Sequence, residues 1–192
     1  METRTRSGRR RTADLALAFA VVAAAASGCG KNRVTVDVDV ASFIDPADLT
    51  AHYQAPPFVP PLELNLDPVS VNLVEGFQDF GQAEEISVDM SVRYDNQSGQ
   101  GQARFTLYFS DTASTVFETP PVASIDANLT PESVSVGATR FEADQRVLDL
   151  FTQKQMWMGV KFSWTPETSA ALVGDYTITR IDAHVVSTVE IF

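Results

Sequence analysis

Hydrophobic and polar residues alternate along most of the chain. In residues 34–40 a valine occupies every second position, and Thr35, Asp37 and Asp39 lie between the valines. A period of two with β-branched residues predicts a strand with one buried and one solvated face. The same pattern predicts long strands at 86–94, 103–110, 156–164 and 176–191, and short strands at 69–74, 115–118, 122–129 and 133–136.

Residues 86–110 form the strongest predicted hairpin, because two alternating runs flank a loop rich in Gly, Asn and Ser at 95–101. Segment 142–153 breaks the alternation, since Ala143, Val147 and Leu150 recur at helical spacing. We expect one short helix there, packed against the strands as a lid or as a crossover.

Residues 42–68 have a different composition, with six prolines. Proline has no backbone N–H and cannot donate to a sheet ladder. The segment therefore predicts an ordered connection along the edge of the domain, partly in polyproline II conformation. Phe58, Val59 and Leu62 are its expected packing contacts.

Short strands, one helix and no β-α-β alternation predict a mainly β fold, a single antiparallel β-sandwich with one short helix. The predicted domain spans residues 34–192 and includes the Pro-rich connection at 42–68. An immunoglobulin-like architecture belongs to this class, although the Cys…Trp…Cys spacing of antibody domains is absent because the chain has one cysteine.

The first residues predict a leader. Five arginines precede an apolar run of 12 residues at 15–26, which ends in four alanines. A positive segment, a short apolar segment and small residues are typical of a secretory signal peptide. A membrane-spanning helix needs about 20 apolar residues, so this run is too short to remain as a span.

Residues 26–29, Ala-Ser-Gly-Cys, resemble the lipobox of bacterial lipoproteins, although the first position is Ala26 where that family usually has Leu. The resemblance implies that Cys29 is acylated and becomes the N-terminus once residues 1–28 are cleaved, leaving a short tether at 29–33. Several acyl chains, palmitate among them, hold a protein firmly on a lipid bilayer. Gly30 follows the cysteine. By resemblance to sorted lipoproteins, the absence of an aspartate at this position implies that the protein reaches the outer membrane.

A second cleavage site competes with the lipobox. Ala24-Ala25-Ala26 fits the A-x-A pattern of ordinary signal peptidase. Cleavage there would release a secreted β-domain that begins at Ser27 and carries no lipid.

Charge and cysteine content exclude several classes of function. Without residues 1–28, nine basic and 23 acidic residues remain, a net charge of −14. Such a surface repels nucleic acid, so no nucleic-acid partner is expected. With Cys29 acylated, no thiol remains for a disulfide, a thiolate metal site or a nucleophile.

No catalytic or metal-binding set stands out. A hydrolase triad would need His52 or His184 as its base, and no G-x-S-x-G elbow is present. Asp37 and Asp39 share a strand face and would reach calcium only with help from another loop; a solvated strand face is the favoured interpretation. We therefore predict no catalytic residues, no metal and no cofactor.

Binding is the favoured activity. Trp157 and Tyr108 lie opposite the core residues of their strands, where aromatic rings can stack on a glycan or contact a protein. The alternative is that the helix covers Trp157. The long last strand would also accept a partner's strand if it lay at a sheet edge.

Together these features predict a lipid-anchored, non-enzymatic domain of the bacterial cell envelope, facing the periplasm at the outer membrane. Its expected partners are the lipid bilayer, through Cys29, and an envelope protein or glycan. An envelope hydrolase with an unrecognised active site is the alternative from another class.

Overall fold

The computed structural model describes residues 32–57, 59–72, 83–151, 153 and 155–189. It contains ten strands, one α-helix and two short 3-10 turns within those ranges. The strands are β1 (Asn32–Asp39), β2 (Thr50–Ala55), β3 (Leu62–Asn65), β4 (Val69–Asn72), β5 (Ala83–Ser98), β6 (Gly101–Ser110), β7 (Ala123–Leu129), β8 (Ser133–Glu142), β9 (Gln155–Pro166) and β10 (Leu172–Val189).

The strands form two five-stranded antiparallel sheets, which pack face to face as a sandwich. Sheet A has the order β1-β10-β5-β8, and β2 pairs with β10 beside β1. Sheet B has the order β3-β9-β6-β7, and β4 pairs with β9 beside β3. The predicted mainly β sandwich with one short helix is confirmed.

The inner faces carry the residues that the alternation placed inward. On β5 and β6 they include Met90, Tyr94, Phe105 and Phe109, and each is at most 1% exposed. On β9 every second residue from Met156 to Trp164 is buried. Burial of this apolar surface is the main favourable contribution to folding.

An aromatic cluster fills one part of the core. Trp164 stacks on Phe162 and Tyr53, with ring centroids 5.5 and 5.3 Å apart. Tyr176 packs on Phe162 at 4.0 Å, and burial raises the pKa of Tyr176 to about 12. The Tyr53 hydroxyl donates to Asn96 at 3.1 Å, which ties β2 to the β5–β6 hairpin.

The helix α1 (Gln145–Phe151) connects sheet A to sheet B and is therefore a crossover. It begins later than predicted, because β8 continues to Glu142. Its buried residues are Val147, Leu150 and Phe151, and Phe151 meets Phe109 edge to face at 5.9 Å. The helix thus packs into the core between the sheets.

The Pro-rich connection holds more structure than expected. Residues 42–68 include β2 and β3, each paired on one side. Short strands outside the central pairs tolerate flanking prolines, because few of their N–H groups are needed for a ladder. Val59 and Leu62 are exposed rather than packed, and Phe58 lies outside the described residues.

Three further expectations need correction. Residues 116–118 form a 3-10 turn and not a strand. The last strand begins at Leu172, earlier than predicted. β10 has β5 on one side and both β1 and β2 on the other. Its backbone is therefore already paired, and it offers no edge for a partner strand.

Candidate binding faces of the two sheets

Two outer faces are open to a ligand, one on each sheet. On sheet A the outward residues of β1, β10, β5 and β8 form rows across the strands. One row joins Asp37, His184 and Ser87, and the next joins Asp182, Asp89 and Arg140. Charged residues from four strands therefore meet on one surface, which we call the charged face.

His184 lies at the centre of the charged face. Its Nδ1 is 2.6 Å from Asp37 Oδ1 on β1, and its Nε2 is 3.1 Å from Asp89 Oδ2 on β5. A carboxylate accepts and does not donate, so the imidazolium, with a proton on each ring nitrogen, is the form that satisfies both contacts. The hydrogen bond with Asp37, followed by that with Asp89, raises the pKa of His184.

Two arginines approach the same carboxylate from opposite sides. Arg180 Nη2 is 3.4 Å from Asp89 Oδ2, and its Nε lies 2.6 Å from Asp182. Arg140 Nε is 3.9 Å from Asp89 Oδ1, beyond hydrogen-bonding distance. Three cationic side chains thus surround Asp89, whose own side chain is only 19% exposed.

A groove of about 560 Å³ lies beside this cluster. Asp89, Arg140 and Arg180 line it, and Ser91 and Ala138 pair across its floor. The register of β10 shifts between Ile178 and Arg180, which leaves Thr179 as an extra residue at the rim. Bulges of this kind bend a strand and re-aim its side chains, and they are frequent beside binding sites.

The outer face of sheet B carries the two aromatic residues that the sequence singled out. Tyr108 pairs with Gly159, and Ser110 pairs with Trp157, so the two rings lie on neighbouring strands. Tyr108 meets Phe117 edge to face at 5.6 Å. Both Tyr108 and Trp157 are half-buried.

The segment over this aromatic surface is the 3-10 turn at Val116–Glu118 and not the helix. A Cβ on Gly159 would lie 2.9 Å from Phe117 Cε1, so the turn packs directly on the sheet there. The helix directs its apolar residues into the core instead. Trp157 and Tyr108 remain predicted contacts for a glycan or protein.

A smaller depression of about 220 Å³ lies further along sheet B, beside Arg104 and Asp126. The two side chains form a bidentate pair at 2.6 and 3.1 Å. This pairing lowers the pKa of Asp126 and uses two of the five N–H donors of the guanidinium.

His52 also lies on the outer side of sheet A, where its Nδ1 is 3.0 Å from Asp175. A hydrolase would need a nucleophile at the other ring nitrogen. Within the described part of the chain, no hydroxyl or thiol contacts Nε2 of His52. The pair Asp175–His52 thus lacks the third member of a triad there.

The two aspartates considered as calcium ligands have different partners in the structure. Asp37 binds His184, whereas Asp39 caps the turn at Val40–Phe43 by accepting from the Ser42 N–H at 3.2 Å. The described residues include no group of three His, Cys, Asp or Glu side chains arranged for a metal ion. Cys29 lies outside the described residues. Among the helices that the structure describes, none has the length and apolar character needed to span a bilayer.

The charged face was not predicted as a site. Asp37, Asp89, Arg140 and His184 are distant in sequence, and only the register of four strands brings them together. The one signal in the sequence is that each of these residues falls on the polar side of its strand. Alternation identifies the face of the sheet on which a residue lies, but it does not identify the residues beside it on the adjacent strands.

Comparisons with known proteins leave the function open. No protein-family model matches the sequence, and no curated protein matches it.

The chain is similar to several solved structures. Two are structures of infectious bursal disease virus. The Gt strain is 14% identical over 90% of this chain and 37% of that chain, with a TM-score of 0.47. The Gx strain is 8% identical over 81% of this chain and 32% of that chain, with a TM-score of 0.46. A third is a carbohydrate-binding module specific for non-crystalline cellulose, at 8% identity over 69% of this chain and 71% of that chain with a TM-score of 0.38. The chain spans about a third of the viral chains.

Proposed function

We propose that the protein is a lipid-anchored binding domain of the bacterial cell envelope. In this proposal Cys29 is acylated and holds the domain at the outer membrane, facing the periplasm, and the β-sandwich binds a glycan or a protein without catalysing a reaction. The observation that carries it is the position of the only cysteine, directly after a positive leader and a short apolar run.

The start of the fold supports this anchor. β1 begins at Asn32, three residues after Cys29. A chain spans at most about 3.6 Å per residue, so the first strand starts within about 11 Å of the acylated residue. An acylated Cys29 would therefore hold the sandwich directly at the bilayer surface.

The side-chain chemistry supports binding over catalysis. Both nitrogens of His184 are committed to carboxylates, so this histidine has no free lone pair to act as a base. His52 pairs with Asp175 in an exposed position, where solvent competes with any proton transfer. The outer faces instead offer broad polar surface, which suits recognition of an extended ligand.

Metabolic labelling with a palmitate analogue tests the anchor. We expect the wild-type chain, expressed in a bacterium, to take up the label and to fractionate with the outer membrane. The variant C29S should take up no label, because it lacks the thiol that receives the lipid. S27A serves as the matched control, since it changes a neighbouring small residue and keeps the thiol. A wild-type chain without label would refute the anchor.

A further inference from the structure

We propose that the groove on the charged face binds a saccharide that carries a carboxylate, with Arg140 and Arg180 as the residues that receive the acid group. This inference rests on the proposed binding function and names the site and the ligand chemistry for it.

Arg140 is the first reason. The other exposed arginines of the described chain each have a carboxylate oxygen within hydrogen-bonding distance: Arg33 with Glu85, Arg93 with Asp95, Arg104 with Asp126 and Arg180 with Asp182. Arg140 has its carboxylates at 3.8 and 3.9 Å, and its short contact is the neutral Ser87 hydroxyl at 2.7 Å. Its guanidinium therefore keeps donors for an incoming acid.

The placement of the charges is the second reason. Arg140 and Arg180 stand on opposite sides of β5 and both approach Asp89, which also accepts from His184. Asp182 and Asp37 give Arg180 and His184 short carboxylate contacts, whereas Arg140 has no carboxylate oxygen within hydrogen-bonding distance. A carboxylate in the groove would give Arg140 this partner, since a guanidinium fork matches its two oxygens.

The shape of the groove is the third reason. The extra residue at Thr179 and the small side chains of Ser91 and Ala138 leave a depression in an otherwise flat sheet. The Thr179 hydroxyl donates to the Ser91 carbonyl at 3.0 Å, which fixes the rim. A pyranose ring lying in this open groove would meet hydroxyl and guanidinium groups on three sides.

The lining favours a saccharide over an acidic peptide. Peptides gain affinity by placing apolar side chains in pockets. In this groove Met90 is 1% exposed and belongs to the core, and Ala138 is the only exposed apolar side chain among the lining residues. The ligand must therefore be recognised by its polar groups.

The long-range field of the protein opposes an acidic ligand, since the predicted mature chain carries a net charge of −14. At physiological ionic strength charges more than about 8 Å apart are largely screened. The ligand would then respond chiefly to the charges that line the groove, which are Asp89, Arg140 and Arg180.

Ligand-observed saturation-transfer NMR tests the proposal on the full-length chain in detergent micelles. The probes are glucuronate and glucose, which differ only at C6, where glucuronate has a carboxylate and glucose a hydroxymethyl group. We expect saturation transfer to glucuronate and none to glucose. R140Q should weaken glucuronate binding by about tenfold or more, as loss of a charged hydrogen bond does.

Two further variants keep the result interpretable. A138L fills the groove floor, retains both arginines and should abolish binding, whereas R104Q removes an arginine from sheet B and should bind as the wild type does. Equal transfer to both sugars, or wild-type affinity in R140Q, would overturn the proposal. Tighter binding of a polyglutamate peptide through Arg140 would assign the groove to peptides and contradict the saccharide. The titration needs no acyl group, so its outcome is independent of the anchor at Cys29.

Discussion

His184 joins three strands of sheet A by charge. Its side chain, on β10, holds Asp37 of β1 on one side and Asp89 of β5 on the other. Asp89 is also approached by Arg140 and Arg180, and Asp37 is an exposed partner. β1 is the strand that follows the proposed anchor residue, and His184 links it to β5 across β10.

The protonation of His184 should make stability depend on pH. The folded protein holds the imidazolium proton more tightly than the unfolded chain does, because Asp37 and Asp89 raise the pKa of His184 above about 6.5. The stabilisation is therefore fully present below the unfolded pKa and is lost as pH rises through the folded pKa. We expect H184Q to lower the free energy of unfolding by about 1 kcal/mol at acidic pH, and by less above the folded pKa.

NMR titration of the imidazole protons and urea unfolding at several pH values check this expectation. D37N is the control, since it removes the negative charge of the partner with the largest effect and should lower the pKa of His184 toward its ordinary value. An imidazole that titrates at or below about 6.5 in the wild type would contradict the arrangement.

The sequence predicted which face of its strand each residue occupies, but it did not predict which residues are in contact. The alternation placed Met90, Phe105 and Val160 inward, and each is buried. It also placed Asp37 and His184 on polar faces. Their contact depends on the pairing of the first strand with the last, a separation of 147 residues that no local pattern encodes.

At the level of elements, strands with a regular alternation of apolar and polar residues could be predicted from the sequence. Strands without that alternation could not. β5, β6 and β9 were predicted because apolar residues occupy every second position over most of each strand. β2 and β3 were missed because they are short and lie among prolines, and their pairing comes from β10 and β9. The start of α1 was misplaced because β8 extends to Glu142, where pairing with β5 outweighs helical spacing.

The helix should be required for the stability of the core. Phe151 is 2% exposed and packs on Phe109, so F151A removes a buried ring between the sheets. We expect this variant to lose roughly 3–5 kcal/mol of unfolding free energy in urea.

F117A is the matched control, because Phe117 is a half-buried ring on the outer face of sheet B. Its loss should be clearly smaller than that of F151A. Equal losses in the two variants would show that α1 is not part of the core.

The whole sequence combines a basic N-terminal segment with an acidic remainder. Five of the 14 basic residues precede residue 12, whereas 23 of the 25 acidic residues follow residue 28. An acidic domain repels anionic lipid headgroups. Attachment would then depend on acyl chains, and the strands of sheet A would extend away from the anchor.

In the proposed arrangement the groove would be within reach of a periplasmic ligand. Asp39 pairs with Asp182, which pairs with Asp89 beside the groove. At about 3.3 Å per residue, that row lies about 23 Å along β1 from Asn32. An anchored domain whose first strand stood perpendicular to the bilayer would therefore present the charged face above the membrane surface.

The most direct test of the anchored-domain account is the mass of the N-terminal peptide of the chain after expression in a bacterium. The account predicts a peptide that begins at Cys29 and carries a diacylglyceryl group and an N-acyl chain. An unmodified peptide that begins at Ser27 would contradict it.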